Sequence, residues 1–199
     1  MKSDVIHING ETPDIEKALA QAEAVAAFKK LDVKQTLQLR LLAEETMGMM
    51  RGLTNEYDAD FWIEDEENAF QVHLKTLTVM NTELRKKLIS NATTGKNAST
   101  KGIMGKIREI FERAIEPLND TDDNFFSAGL MYASEDPVNF GYTGDAAMWS
   151  FNKYRESIQE DEAPEEWDEL ERSIVANIAD EIRVGIRGNE VEMIIYKKF

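Results

Sequence analysis

Apolar residues recur every three or four positions in two long segments near the start of the chain. This spacing predicts amphipathic helices over residues 12–30 and 33–53. Thr12-Pro13 suits the N-cap and the first position of the first helix. In the second segment apolar residues occupy most of the circumference, which predicts a helix packed on more than one side. One narrow stripe of that helix holds Leu37, Leu41, Glu44 and Gly48. Because Glu44 and Glu45 are then expected on an interior element, each should be paired or face a polar cleft.

Strict alternation of apolar and polar residues predicts a strand over residues 70–74, with Gln71 and His73 on the polar face. Apolar residues 61–63 and an acidic turn over 64–68 precede it, which indicates an antiparallel hairpin with its apolar face on the helices. A short strand is predicted over residues 5–8, and a second hairpin at the end of the chain joins residues 182–186 to 191–196.

The remaining segments are less regular. Residues 103–116 form an amphipathic helical pattern, residues 117–164 indicate an irregular insertion with a candidate helix over 145–158, and residues 165–179 indicate an extra helix. The sequence therefore predicts a single domain over 1–199, with a core of about 12–116 and 181–199. We expect an α+β two-layer sandwich, in which an antiparallel or mixed sheet carries helices on one face.

Composition narrows the classes of function. The chain has a formal net charge of −15, which argues against a sequence-independent nucleic-acid binder. With no cysteine there is no thiol nucleophile, disulfide or thiolate metal site, and the two histidines lack metal-ligand spacing, so no metal site is predicted. No apolar run reaches the roughly 20 residues of a membrane span and the N-terminus lacks a signal pattern, so we expect a cytoplasmic protein.

Residues 84–113 differ in charge from the rest of the chain, because this segment contains eight basic residues and only two acidic ones. Residues 91–102 have the composition of a mobile loop and lead into a helix start with glycines at Gly102 and Gly105. A helix start offers unpaired N–H donors and a positive dipole end to an anion, and Lys96, Lys101 and Lys106 would add charge to it. The structural alternative is that the glycines only permit a tight helix entry and that the lysines are solvated.

The order of these parts resembles the histidine-kinase-like ATPase superfamily and, in size, the anti-sigma-factor serine kinases. The segment Leu39 to Glu45 is similar to the start of the family's first box, and Gly102 to Gly105 is similar to its second glycine box. The resemblance implies ATP as cofactor, a catalytic role for Glu44 and Glu45, and a phosphate site formed by Lys96, Lys101, Gly102, Gly105 and Lys106.

Two departures weaken the implied site. The family's magnesium-holding Asn, four residues after the Glu, is replaced by Gly48 or Met49, and residues 78–82 lack the Asp and Gly of the adenine box. For Glu44 the alternatives are a general base or magnesium contact and an ion pair with Arg40 one turn earlier. For the whole chain they are a nucleotide-binding regulatory protein and a non-enzymatic module that keeps the fold and binds a protein partner.

Overall fold

The computed structural model describes residues 1–9, 12–53, 58–77, 103, 105, 107, 147–160, 173–187 and 190–199. In chain order its elements are β1 (Ile6–Ile8), α1 (Thr12–Phe28), α2 (Val33–Leu53), β2 (Ala59–Glu66), β3 (Ala69–Leu77), β4 (Ala147–Ser150), α3 (Phe151–Glu160), α4 (Ile174–Ile178), β5 (Glu181–Arg187) and β6 (Glu190–Lys198). The strands within these ranges form one sheet in the order β1-β2-β3-β6-β5-β4, with every neighbouring pair antiparallel. The α+β class predicted from the sequence is confirmed, and of the two sheet types left open the antiparallel one is present.

One face of the sheet forms the main core. Because side chains alternate along each strand, the paired registers align apolar residues across β2, β3, β6 and β5. The helix α1 packs against α2, β1 and β2, while α2 packs against β3 and β6. Buried side chains on this face of the sheet include Phe61, Ile63, Phe70, Val72, Leu74, Ile182, Val184, Met193 and Ile195.

The β2–β3 turn is shorter than the acidic turn predicted over 64–68. Only Glu67 (φ 47°) and Asn68 (φ 68°) lie outside the strands, both in the left-handed region that a two-residue hairpin turn of type I′ requires. Asp65 stays in the strand although it is buried, because Lys29 Nζ lies 2.5 Å from its carboxylate. Residues 64–66 are therefore strand, which corrects the sequence prediction.

Local hydrogen bonds fix the corner between α1 and α2. Lys30 adopts a positive φ of 58° at the end of α1, and the Leu31 N–H donates back to the Ala26 carbonyl at 3.0 Å, as in a Schellman motif. The Asp32 and Gln35 side chains then accept each other's backbone N–H groups, at 2.8 and 2.9 Å, and form a capping box for α2. The Schellman motif thus ends α1, and the capping box begins α2 three residues further on.

Part of the segment expected to be irregular is regular. Residues 147–150 form strand β4 and residues 151–160 form α3, so the candidate helix over 145–158 begins later than predicted. The Glu181 carboxylate accepts hydrogen bonds from the Ser150 hydroxyl and the Asn152 N–H at 3.2 Å each, which holds the start of α3 against β5. This contact joins residues 31 positions apart, and no local pattern indicates it.

Candidate functional site

An exposed stripe runs along α2 on the side away from the sheet, and we call it the open face of α2. Its members are the four residues that the sequence places on one stripe: Leu37, Leu41, Glu44 and Gly48. Leu37 is 55% exposed and Leu41 is half-buried, while Glu44 and Gly48 are exposed. The opposite side of α2 holds the buried contacts, through Leu39, Leu42, Ala43, Thr46, Met47, Met49 and Met50. As expected, α2 packs on more than one side, since it contacts α1 as well as strands β3 and β6, but Glu44 does not lie in the interior.

The Glu44 carboxylate is available to a ligand. Within the described residues, the side chains of Glu44 and of the half-buried Glu45 take part in no hydrogen bond or ion pair. Arg40 instead pairs with Glu23 on α1 and ties the two helices together. The alternative in which Arg40 neutralises Glu44 is therefore wrong, because the guanidinium points to the neighbouring helix.

The space over Gly48 is open. A Cβ added to this glycine meets no atom within 4 Å. Gly48 lies one helical turn beyond Glu44, on the same stripe. The hydroxyl of Thr46, two residues before Gly48, is buried and donates to the Leu42 carbonyl at 2.6 Å. Within the part of the chain that the structure describes, no group of three or more His, Cys, Asp or Glu side chains could hold a metal ion.

The predicted phosphate site is described at one residue only. Gly105 is helical and half-buried, whereas Lys96, Lys101, Gly102 and Lys106 lie outside the described residues, as does most of the loop over 91–102 and of the helix over 103–116. Ile103 and Ile107 are helical and buried in the same core cluster as the buried side of α2. Ile103 and Ile107 are therefore part of the main core of the molecule, to which the buried side of α2 also belongs.

A histidine between two aspartates on the edge strand β1 was not indicated by the sequence. His7 on β1 places Nε2 at 3.0 Å from Asp58 and Nδ1 at 3.1 Å from Asp60. The hydrogen bond with Asp60, followed by the charge of Asp58, raises the pKa of His7 above its usual 6.5. A protonated imidazole can donate from both nitrogens, which is what two flanking carboxylates favour. The partners lie about fifty residues from His7, so no spacing rule finds them.

On the face of the sheet opposite the helices, a group of polar and aromatic residues is buried, and we call it the outer-face cluster. His73 stacks on Trp62 with ring centroids 4.7 Å apart, and its Nδ1 lies 3.2 Å from the Glu192 carboxylate. Arg183 lies over the Tyr196 ring at 5.0 Å. His73 does lie on the polar face, as its alternation predicts, but it is only 6% exposed.

Several polar atoms of the outer-face cluster are enclosed without a hydrogen bond. They are His73 Nε2, Arg183 Nε and Nη1, and the Tyr196 hydroxyl. Burial, partly offset by the nearby Arg183 charge, raises the pKa of Tyr196 above its usual 10. Because these polar atoms are buried without a hydrogen bond, they lower the stability of the folded state.

Comparisons of the chain with protein-family models, curated proteins and solved structures find no match. Among the helices that the structure describes, none is long and apolar enough to cross a membrane.

Proposed function

We propose that this protein is a regulatory protein with a histidine-kinase-like ATPase fold. Its open face of α2 and the glycine-flanked helix start at residues 102–106 together bind the phosphate groups of a nucleotide such as ATP. The observation that carries the proposal is the exposed carboxylate of Glu44, which has no side-chain partner among the described residues and lies one helical turn from the open space at Gly48.

The charge of residues 84–113 also supports a phosphate-binding segment in this part of the sequence. Residues 84–113 carry eight basic residues against two acidic ones in a chain of net charge −15, and this is where a phosphate-binding segment needs them. Backbone N–H groups at a helix start and the lysine ammonium groups bind phosphate oxygens, while Glu44 and Glu45 are the candidates for a general base. Nucleotide binding is the primary function proposed, and any catalysis would use the carboxylates of Glu44 and Glu45.

A titration with ATP, ADP and inorganic phosphate tests the proposal. The double variant Lys101→Ala/Lys106→Ala should lose binding by at least about tenfold, since each ammonium contact to phosphate contributes about 1 kcal/mol or more. The matched control is Lys30→Ala/Lys34→Ala, which removes the same charge from two exposed positions at the α1–α2 corner. Equal affinity of the wild type and the first variant, or no binding of any of the three ligands by the wild type, would contradict the proposal.

A second candidate is a non-enzymatic module that binds a protein partner. It is favoured by an apolar corner, formed by Phe28, Val33 and Leu37, whose exposed fractions are 71%, 88% and 55%. Large apolar side chains grouped at one corner are typical of a contact surface. The corner lies where α1 ends and α2 begins, and the hydrogen bonds of the Schellman motif and of the capping box fix its backbone.

Co-purification from cells that naturally express the chain tests this candidate. The variant Val33→Ser/Leu37→Ser should lose a partner that the wild type retains, and Val5→Ser, which changes an exposed valine just before β1, should keep it. Retention of the same partners by the double variant would rule out the apolar corner as the binding surface.

A further inference from the structure

The open face of α2 has a projecting apolar end and a recessed end. Val33 extends it by one helical turn before Leu37, and the two side chains are 88% and 55% exposed. At the other end Gly48 has no side chain, and a Cβ built there meets no atom within 4 Å. Packed helices insert the side chains of one helix into gaps between those of the other. The two ends of this face are therefore complementary in shape.

The charges along the same face lack partners. Lys34 is exposed in the first turn of α2, where the positive end of the helix dipole disfavours a cation, and no carboxylate of the described residues pairs with it. Arg40 is already paired with a glutamate of α1, whereas the side chains of Glu44 and Glu45 are unpaired within the described residues. The start of α2 thus has an unpaired cation, and its second half has unpaired carboxylates.

Two copies of α2 bring the complementary ends together when the helices pack antiparallel. A twofold axis that passes between residues 40 and 41 places Val33 of each copy opposite Gly48 of the partner subunit. The same axis places Leu37 opposite Glu44 of the partner subunit, whose methylene groups cover the leucine while the carboxylate stays in water. Such a contact is isologous, so each of these pairs forms twice.

The antiparallel arrangement also pairs the charges. At 100° per residue, Lys34 and Glu45 lie about 100° and 120° round the helix from Val33, so both flank the open face on the same side. Corresponding flanks of two antiparallel helices face each other, as in coiled coils, where charged flanking residues set the orientation of the partner. Lys34 therefore lies beside Glu45 of the partner subunit.

We propose that the open face of α2 is a self-association surface, on which the α2 helices of two copies of this chain pack antiparallel. The inference rests on the second candidate function, the protein-binding module, and identifies its partner as a second copy. One helix stripe from each copy buries less than the roughly 1,200 Å² of a stable complex, so the dimer is transient and the dilute chain is a monomer. A second copy and a nucleotide exclude each other on this face, so the measurements are made without nucleotide.

Introduced thiols test the register, because the chain has no cysteine of its own. Val33→Cys and Gly48→Cys, mixed at high protein concentration in a glutathione redox buffer, should form a mixed disulfide dimer. Each variant alone should crosslink at least about tenfold less, because two copies of either position lie roughly 22 Å apart along the antiparallel pair, too far for a disulfide. The control Val5→Cys, exposed just before β1, should crosslink with neither variant. Equal yields from the mixture and from either variant alone, or from the control, would overturn the inference.

A charge exchange tests the orientation without changing the apolar contact. In sedimentation equilibrium at low salt, Lys34→Glu should raise the Kd of the dimer by about threefold to tenfold, because two attractive pairs become repulsive. The exchanged variant Lys34→Glu/Glu45→Lys should return the Kd to within about twofold of the wild type. Lys198→Glu makes the same charge change at an exposed position of β6 and should leave the Kd unchanged.

A wild type that stays monomeric up to about 1 mM would overturn the inference, as would an exchanged variant that associates no better than Lys34→Glu. The second candidate function fails by a different result, which is retention of the same co-purified proteins by Val33→Ser/Leu37→Ser. The two failures are therefore distinguishable.

Discussion

Gly48 occupies an exposed position in the middle of a long helix, where glycine lowers stability. The Gly48→Ala variant should therefore raise the free energy of unfolding by about 0.5–1 kcal/mol, because alanine restricts the unfolded backbone and no neighbour obstructs its methyl group. Urea denaturation monitored by circular dichroism measures the change. A destabilised variant would show that the space over Gly48 is filled.

Glu44 supports a second prediction at the same scale. If bound phosphates lie beside its carboxylate, Glu44→Gln removes a repulsive charge and should tighten ATP binding by about two- to fivefold. The matched control is Glu16→Gln, an exposed glutamate on α1, which should leave the affinity unchanged. An unaltered affinity in Glu44→Gln would place the phosphates elsewhere.

His7 gives a prediction for pH dependence. Its folded-state pKa is raised by Asp60 and Asp58, so the protonated form stabilises β1 against β2 below the unfolded pKa of about 6.5. That contribution is lost as the pH rises through the higher folded-state value. An NMR titration should find the His7 pKa above 6.5, lowered in Asp60→Asn and unchanged in the control Asp4→Asn. A value at or below 6.5 in the wild type would contradict the two contacts.

At the scale of elements, α2 shows how far its sequence pattern predicts packing. The periodicity places Leu37, Leu41, Glu44 and Gly48 on one stripe, yet the apolar residues around most of the circumference lead to the expectation that the whole helix is interior. Helical spacing gives the relative positions of side chains, whereas which side meets the sheet depends on contacts with β3 and β6. The exposure of Glu44 follows from those long-range contacts.

The two sides of α2 should respond differently to truncation. Leu42→Ala should cost about 2–5 kcal/mol, because its side chain is fully buried in the core. Leu37→Ala, at a position 55% exposed, should change the free energy of unfolding by no more than about 0.5 kcal/mol. Similar losses at both positions would mean that the open face of α2 is covered.

The β2–β3 hairpin shows a different limit of local patterns. The alternation from Phe70 to Leu74 is sufficient to predict β3, but acidic residues of β2 appear as a turn when only neighbours are considered. Their partners come from elsewhere in the chain: Lys29 pairs with Asp65, and Lys2 pairs with Glu64. A charged residue in a strand is recognised only when the distant counter-charge is known.

For the whole molecule, the sequence predicts the α+β class and the main helices and hairpins better than the site. Hydrophobic periodicity identifies α1, α2 and the two hairpins because each follows from residues close in the chain. The sheet order, the insertion of β4 at the edge beside β5, and the His7–Asp58–Asp60 contact all join distant segments. Of the predicted site, the positions of Glu44 and Glu45 on α2 are described, while the lysine contribution stays a prediction.

The central claim, that the open face of α2 belongs to a nucleotide-binding site, is tested most directly by thermal unfolding of the full chain with ATP in EDTA. A ligand at 100 times its Kd stabilises the folded state by about 2.7 kcal/mol. For a chain of this length each kcal/mol raises Tm by about 2–4 °C, so we expect an increase of roughly 5–10 °C at saturation. An unchanged Tm with saturating ATP, ADP and phosphate would contradict the claim and favour the protein-binding module.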